Sequence, residues 1–329
     1  MIIETAFALA GLYLIIKGSD WITDSAIPLA SYLNTTYIAV GLVLVSVLLS
    51  LPELMISIAV TLKGHQGIGV GVIIGSIIVN LGLIVGISAM IHPLKIPRHV
   101  ITRDAVFMLI TTIVVSLIIV EDLQVTKRDG IVFLLLFIPY LVNIYEQEKN
   151  LAIKERQKES DMITKTLTYT GKIGKTEVVI HDSRVIFVVG IALLLIGTEL
   201  FTESLISWAG ILGVSELLIG LTIGALGPSI PNLAAAVQAV KRGYDELAVS
   251  ETIGSNIFTL LITLGILAIV KPFMIDEITA SITAPALLIV TVAFFVFALR
   301  GNISRVAGSV LVTLYLLAMA AELYFRLGI

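Results

Sequence analysis

Long apolar runs, each ended by a charged residue or a Gly/Pro cluster, dominate this chain. They predict helices near 2–16, 36–62, 69–91, 104–120, 130–145, 185–208, 215–240, 246–270, 279–299 and 304–325. A transmembrane helix needs about 20 mostly apolar residues, so ten crossings joined by short loops fit the length. Runs such as 131–140 and 284–298 are apolar on every side. That is the pattern of a helix in lipid, whereas a barrel strand would alternate. The first run has no basic stretch before it and no small-residue cleavage site after it, so it reads as a retained span rather than a signal peptide. The expected fold is all-α and integral to the membrane, with ten transmembrane helices.

Composition narrows the class further. Hydrophobic side chains make up 57% of the 329 residues, charged ones 14%, and the mean hydropathy is +1.05. Soluble domains carry about 25% charge. A water-soluble globule, a disordered chain and a nucleic-acid binder are thereby excluded, and a net charge of −3 offers nothing to a polyanion. The absence of cysteine removes disulfides and thiolate metal sites. If both termini face outside, 16 of the 21 Lys and Arg fall on the inner side, eight of them between Lys149 and Arg184. The basic excess marks the cytoplasmic face. It predicts a multi-pass cell-membrane protein with both termini extracellular and the hydrophilic loop 146–184 cytoplasmic. That loop is either a solvated linker or a small regulatory element packed on the bundle.

Shifted by 179 residues, the sequence aligns with itself without gaps over about 73 positions. Gly18 falls on Gly197, Gly41-Leu42 on Gly220-Leu221, Ser50 on Ser229, Pro52 on Pro231, Gly64 on Gly243, Gly75-Ser76 on Gly254-Ser255 and Gly86-Ile87 on Gly265-Ile266. Chance likeness between apolar segments would match Leu to Val, not Gly, Pro and Ser in register. The period holds five helices, an odd number, so the two halves enter the membrane from opposite sides. Inverted repeats of this kind are a mark of secondary transporters, with the site near the midplane where the halves meet on interrupted helices. The expected organisation is a first repeat over 1–145 (core 36–91), the loop 146–184, and a second repeat over 185–329 (core 215–270).

Polar groups deep in lipid are costly and point to function. Ser46, Ser50 and Glu53 form one stripe on the second helix, with Pro52 inside the run, where it removes a backbone N–H. The third helix carries Ser76 and Asn80. The seventh repeats the second with Ala225, Ser229, Pro231 and Asn232; the eighth repeats the third with Ser255 and Thr259 and adds Asn256. Single hydroxyls in membrane helices often serve packing alone, but four stripes related by one repeat predict a shared cavity. Its donors are hydroxyls, amides, carbonyls and a carboxylate, which suit hard cations such as Na⁺, Ca²⁺ or Mg²⁺. The histidines at 65, 92, 99 and 181 fall at helix ends or in loops and read as solvated. No intramembrane Ser–His or Asp pair offers acid and base roles, so an enzyme is not expected.

The segments Leu48-Leu49-Ser50-Leu51-Pro52-Glu53 and Gly227-Pro228-Ser229-Ile230-Pro231-Asn232, with Gly75-Ser76 and Gly254-Ser255-Asn256, resemble the two α-repeats of the sodium/calcium exchanger family of the calcium/cation antiporter superfamily. The likeness covers the whole chain. It implies a diamond of cation sites among helices two, three, seven and eight, used alternately by Na⁺ and Ca²⁺, with no bound cofactor and with the first and sixth helices sliding against the other eight. Carried over by position, Glu53, Ser50, Ser76 and Asn80 are the ligands of the first repeat, and Ser229 and Ser255 those of the second. The backbone carbonyls of Ser46 and Ala225 complete the sites.

Several positions depart from the family pattern. Asn232 stands where the second repeat has its acid, and Thr259 where an Asp or Asn is common. Leu49 and Pro228 replace Thr, and Val72 and Glu251 replace Asn. Calcium affinity follows ligand charge, so the central site is expected to have reduced charge. Glu251, one turn before Ser255, is either a substitute ligand or proton-carrying acid, an acid at the cytoplasmic mouth, or a helix cap. The leading expectation is a secondary antiporter that exchanges Na⁺ for Ca²⁺ by alternating access. The alternatives are an antiporter of H⁺ or another cation, and a non-transporting membrane protein that keeps the fold.

Overall fold

The computed structural model describes residues 2–32, 47–149, 172–173, 176–177 and 183–327, with side chains at 2–22, 47–144 and 185–327. Among them are ten long helical segments: α1 (Ile2–Tyr32), α2 (Leu51–Leu62), α3 (Gln66–Ile91), α4 (Arg98–Asp122), α5 (Lys127–Lys149), α6 (Ser183–Leu212), α7 (Glu216–Lys241), α8 (Asp245–Val270), α9 (Thr279–Ala298) and α10 (Arg305–Leu327). Eight of these, all but α2 and α5, are long and apolar enough by themselves to cross a membrane. The protein is an all-helical, multi-pass membrane protein.

Helix positions follow the apolar runs, but several ends differ from the sequence reading. Expected to stop near residue 16, α1 continues to Tyr32 through Gly18-Ser19-Asp20. A glycine inside a helix costs only about 1 kcal/mol, and here it allows close packing. A Cβ at Gly18 would lie 2.7 Å from the Gly190 carbonyl of α6, and one at Gly11 2.8 Å from that of Gly197. These four glycines are what bring α1 and α6 into contact along their length, antiparallel. Likewise α5 runs to Lys149 and α6 starts at Ser183, both inside the expected loop. Within that loop Lys172–Ile173 and Thr176–Glu177 form a small antiparallel ladder.

Five helices contain a wide π-turn: Val79–Ile84 in α3, Ile101–Ala105 in α4, Gly220–Gly224 in α7, Thr259–Thr263 in α8 and Thr279–Thr283 in α9. Such turns are rare and are frequent at functional sites. Asn80 and Thr259, 179 residues apart, lie in corresponding ones.

Two bridges of two residue pairs tie the chain's halves together. Call the four strands β1 (Leu94–Lys95), β2 (Gln124–Val125), β3 (Phe273–Met274) and β4 (Asn302–Ile303). β1 pairs with β4 and β2 with β3, both antiparallel. A shift of 179 carries β1 onto β3, and one of 178 carries β2 onto β4, so the two bridges are repeat-related copies. The main core runs through the buried faces of α3, α4, α5, α7, α8, α9 and α10, while a second cluster joins α1, α2 and α6.

Candidate cation site between the halves

The described polar positions that the repeat singles out on α2, α3, α7 and α8 are all buried, and contacts join some of them across the halves. Helix α2 begins just after a turn at Ser50, whose N–H bonds the Val47 carbonyl at 3.2 Å and whose carbonyl accepts from Leu54 N–H at 3.1 Å. Pro52, lacking an N–H, stands in the first helical turn, where none is needed. The interruption turns the Ser50 hydroxyl to Ser255 on α8, with the two oxygens 2.7 Å apart. On α3, Asn80 Nδ2 donates to Asn256 Oδ1 at 2.8 Å, and Asn256 Nδ2 in turn faces Met108 Sδ at 3.8 Å.

Glycines set these distances. A Cβ on Gly71 would lie 2.9 Å from Gly220 Cα, and one on Gly75 2.7 Å from Ala225 Cβ. Helices α3 and α7 therefore cross nearly backbone to backbone, which seats Ala225 over Gly75, next to Ser76. Unlike α2, α7 runs unbroken through Pro228 and Pro231 after its π-turn, so the two repeats are not interrupted alike.

Of the residues that the sequence singles out, Ser50, Glu53, Ser76, Asn80, Ala225, Ser229, Asn232, Ser255 and Thr259 are all at most 2% exposed, and Glu251 is 6% exposed. Ser46 lies outside the described residues. Both Glu53 oxygens, Ser76 Oγ, Asn80 Oδ1, Ser229 Oγ and both side-chain polar atoms of Asn232 have no hydrogen-bond partner among the described residues. An unpartnered polar group buried in a native protein costs about 1–3 kcal/mol, and an uncompensated carboxylate considerably more. Oxygens of this kind, gathered on four helices without thiol or imidazole, have the donor chemistry of a hard-cation site.

Buried charges on α4 and α10 are paired with opposite charges. Arg103 holds Asp104 through two bonds of 2.7 and 2.8 Å, and Arg326 holds Glu322 at 2.8 Å and Asp276 at 2.8 Å. His65 and His99 bond Glu216 and Glu246 at helix ends, and His92 lies 3.7 Å from Asp245. His181 is outside the described residues. No cluster of three or more His, Asp or Glu with metal-binding spacing occurs among the described residues. Asn256, the partner of Asn80, is named with the α8 stripe in the sequence reading but is not assigned there as a ligand, because it lies beside the Ser255 face rather than on it. The π-turns escaped it because no residue pattern announces them.

A buried polar site held between helices in the membrane is the architecture of a transporter. The sodium/calcium exchanger family model matches residues 3–145 and 183–324, and the chain belongs to that family. It is 32% identical over 325 residues to the putative antiporter CaxA of Alkalimonas amylolytica, covering 96% of this chain and 97% of that protein. It is also 29% identical to the sodium/calcium exchanger MaX1 of Methanosarcina acetivorans, with 96% and 97% covered. A solved structure of the sodium-calcium exchanger NCX_Mj, soaked with zero Na⁺ and Ca²⁺, superposes with a TM-score of 0.65 at 26% identity, covering 98% of this chain and 99% of that one. Family and fold are those of transporters of ions, not of enzymes, and work on transported ions rather than a bound cofactor.

Proposed function

We propose that the chain is a secondary active antiporter that exchanges Na⁺ for Ca²⁺ by alternating access. The observation that carries this reading is the set of unpartnered buried oxygens on Glu53, Ser76, Asn80 and Ser229, beside the Ser50–Ser255 contact that joins the halves. In this reading Glu53, Ser50, Ser76 and Asn80 from the first half, and Ser229, Asn232, Ser255, Thr259 and Glu251 from the second, surround the transported cations. Backbone carbonyls at Ser46 and Ala225 complete the set. The names of MaX1 and NCX_Mj support Na⁺ and Ca²⁺ as the ions. The amide at Asn232, in place of a second acid, favours a second reading in which H⁺ or another cation is exchanged.

Ten crossings as two inverted five-helix repeats, 1–145 and 185–329, are part of this proposal. The bridge β2–β3 holds both strands at one membrane face, so the helices between them must cross an even number of times. The bridge β1–β4 imposes the same condition. Counting α5 as a span satisfies both, and omitting it violates both. The antiparallel α1–α6 pair supports a crossing by α2 as well. With the basic excess inside, the protein lies in the cell membrane with loop 146–184 cytoplasmic and both termini outside.

The test is radiolabelled Ca²⁺ uptake into proteoliposomes driven by an outward Na⁺ gradient. Uptake that collapses without the gradient and in Glu53→Gln is expected. Uptake equal with and without the gradient, or unchanged in Glu53→Gln, overturns the reading.

A further inference from the structure

The two halves carry their buried carboxylates at different repeat positions. Glu53 on α2 aligns with Asn232 on α7, whereas Glu251 on α8 aligns with Val72 on α3. The second half thus lacks an acid where the first has one, and has an acid where the first has an apolar residue. We propose that Glu251 has taken over the charge missing at position 232, so that the cation site keeps two carboxylates, one from each half, and is built for a divalent ion. This rests on the site proposed above and goes beyond it by assigning which residue sets its charge.

Three features carry the argument. First, Glu251 lies one helical turn, about 6 Å along the axis, before Ser255, and Ser255 Oγ is in direct contact with Ser50 Oγ, three residues before Glu53. Second, Glu251 is 6% exposed and lies in a stretch of α8, Leu247 to Phe258, in which every residue is buried. The two acids at the start of α8 each have a histidine beside them, His92 by Asp245 and His99 by Glu246. Third, position 232 is still buried and polar: Asn232 is 2% exposed and neither end of its amide has a partner among the described residues. Relocation of the charge by one helix changes the direction from which it reaches the ion while leaving the total unaltered. A doubly charged ion beside Glu53 alone would remain under-compensated in a low-dielectric surrounding, and two carboxylates remove that imbalance.

Equilibrium binding of ⁴⁵Ca²⁺ to the purified full chain in detergent tests this, using the wild type, Glu251→Gln and the swap Asn232→Glu with Glu251→Asn. Melting temperatures check that each variant is folded. Glu251→Gln is expected to weaken binding by about tenfold or more, and the swap to return it to within about threefold of the wild type. Unchanged binding in Glu251→Gln, a swap no better than Glu251→Gln, or a wild type that binds no Ca²⁺ while the swap does, would each overturn the proposal. Binding that depends on Glu251 without Na⁺-driven uptake would leave it standing and reject the Na⁺/Ca²⁺ exchange reading instead. Uptake that ignores Glu251 would do the reverse.

Discussion

Replacing Gly71 by alanine should separate the two halves where the backbones of α3 and α7 nearly touch. The new Cβ would sit 2.4 Å from the Leu217 carbonyl oxygen, 2.8 Å from Leu221 N and 2.9 Å from Gly220 Cα, all backbone atoms. Ordinary contact starts at 3.4 Å, so α3 and α7 must part by about 1 Å. Overpacking of this kind costs about 1–3 kcal/mol. A gap of 0.5–1 Å also forfeits about a quarter to a half of each dispersion contact along the seam. Against this, alanine gains about 1 kcal/mol in helix propensity over glycine. The upper end of the cost applies because no flexible side chain can give way, leaving a net loss of about 2 kcal/mol. Thermal unfolding in detergent measures it, with Gly210→Ala in α6 as the control, since a Cβ there meets nothing within 4 Å. Gly71→Ala should melt several degrees below the wild type and Gly210→Ala at or above it. Because Ser76 and Asn80 follow Gly71 on the same helix, cation binding should weaken as well. A Gly71→Ala protein as stable as Gly210→Ala would refute the packing argument.

Other consequences can be checked separately. The Glu322 and Arg326 side chains are 1% and 4% exposed, so Glu322→Ala should destabilise the protein in chemical unfolding, by less than the about 3–5 kcal/mol of an orphaned buried charge because Asp276 still holds Arg326. Burial alone would raise the carboxyl pKa of Asp276, but bonds from Thr279 and Arg326 hold it below its ordinary value. The stability it adds is therefore complete above the ordinary carboxylate range and lost as pH falls through its lowered value. Asp276→Asn should remove that acid limb from a pH series of melting temperatures. Lys63 ties α2 to Glu199 and Glu203 on α6, at partly exposed positions. Lys63→Met should shift the melting midpoint by no more than about 1 kcal/mol equivalent, yet speed hydrogen exchange in α6 between 199 and 212.

The sequence carried much of the fold, and for physical reasons. Apolar runs mark spans because lipid admits few charges, and Gly11, Gly18, Gly190 and Gly197 repeat because only glycine lets α1 and α6 touch. The helical ends were less legible: nothing in Gly18-Ser19-Asp20 distinguishes a loop from a helix that continues against a partner. The two-residue bridges lack any strand pattern because their pairing is imposed by the helices that bring the loops together. For the site, the stripes of Ser50, Glu53, Ser76, Ser229 and Ser255 could be read because they repeat. The Asn80–Asn256 bond could not, because it depends on the rotation of α8 about its axis. The wide turns at Val79–Ile84 and Thr259–Thr263 affect that rotation and leave no sequence signal.

The central claim is that one cation site spans the two halves around Glu53, and locating a bound divalent ion tests it most directly. Crystals soaked in Sr²⁺, an anomalous scatterer that mimics Ca²⁺, should show a peak about 2.3–2.8 Å from a Glu53 carboxylate oxygen, among α2, α3, α7 and α8. That peak should vanish in Glu53→Gln. A peak confined to the carboxylates of Asp276 or Asp245, or one that persists beside residue 53 when its charge is removed, would contradict the account.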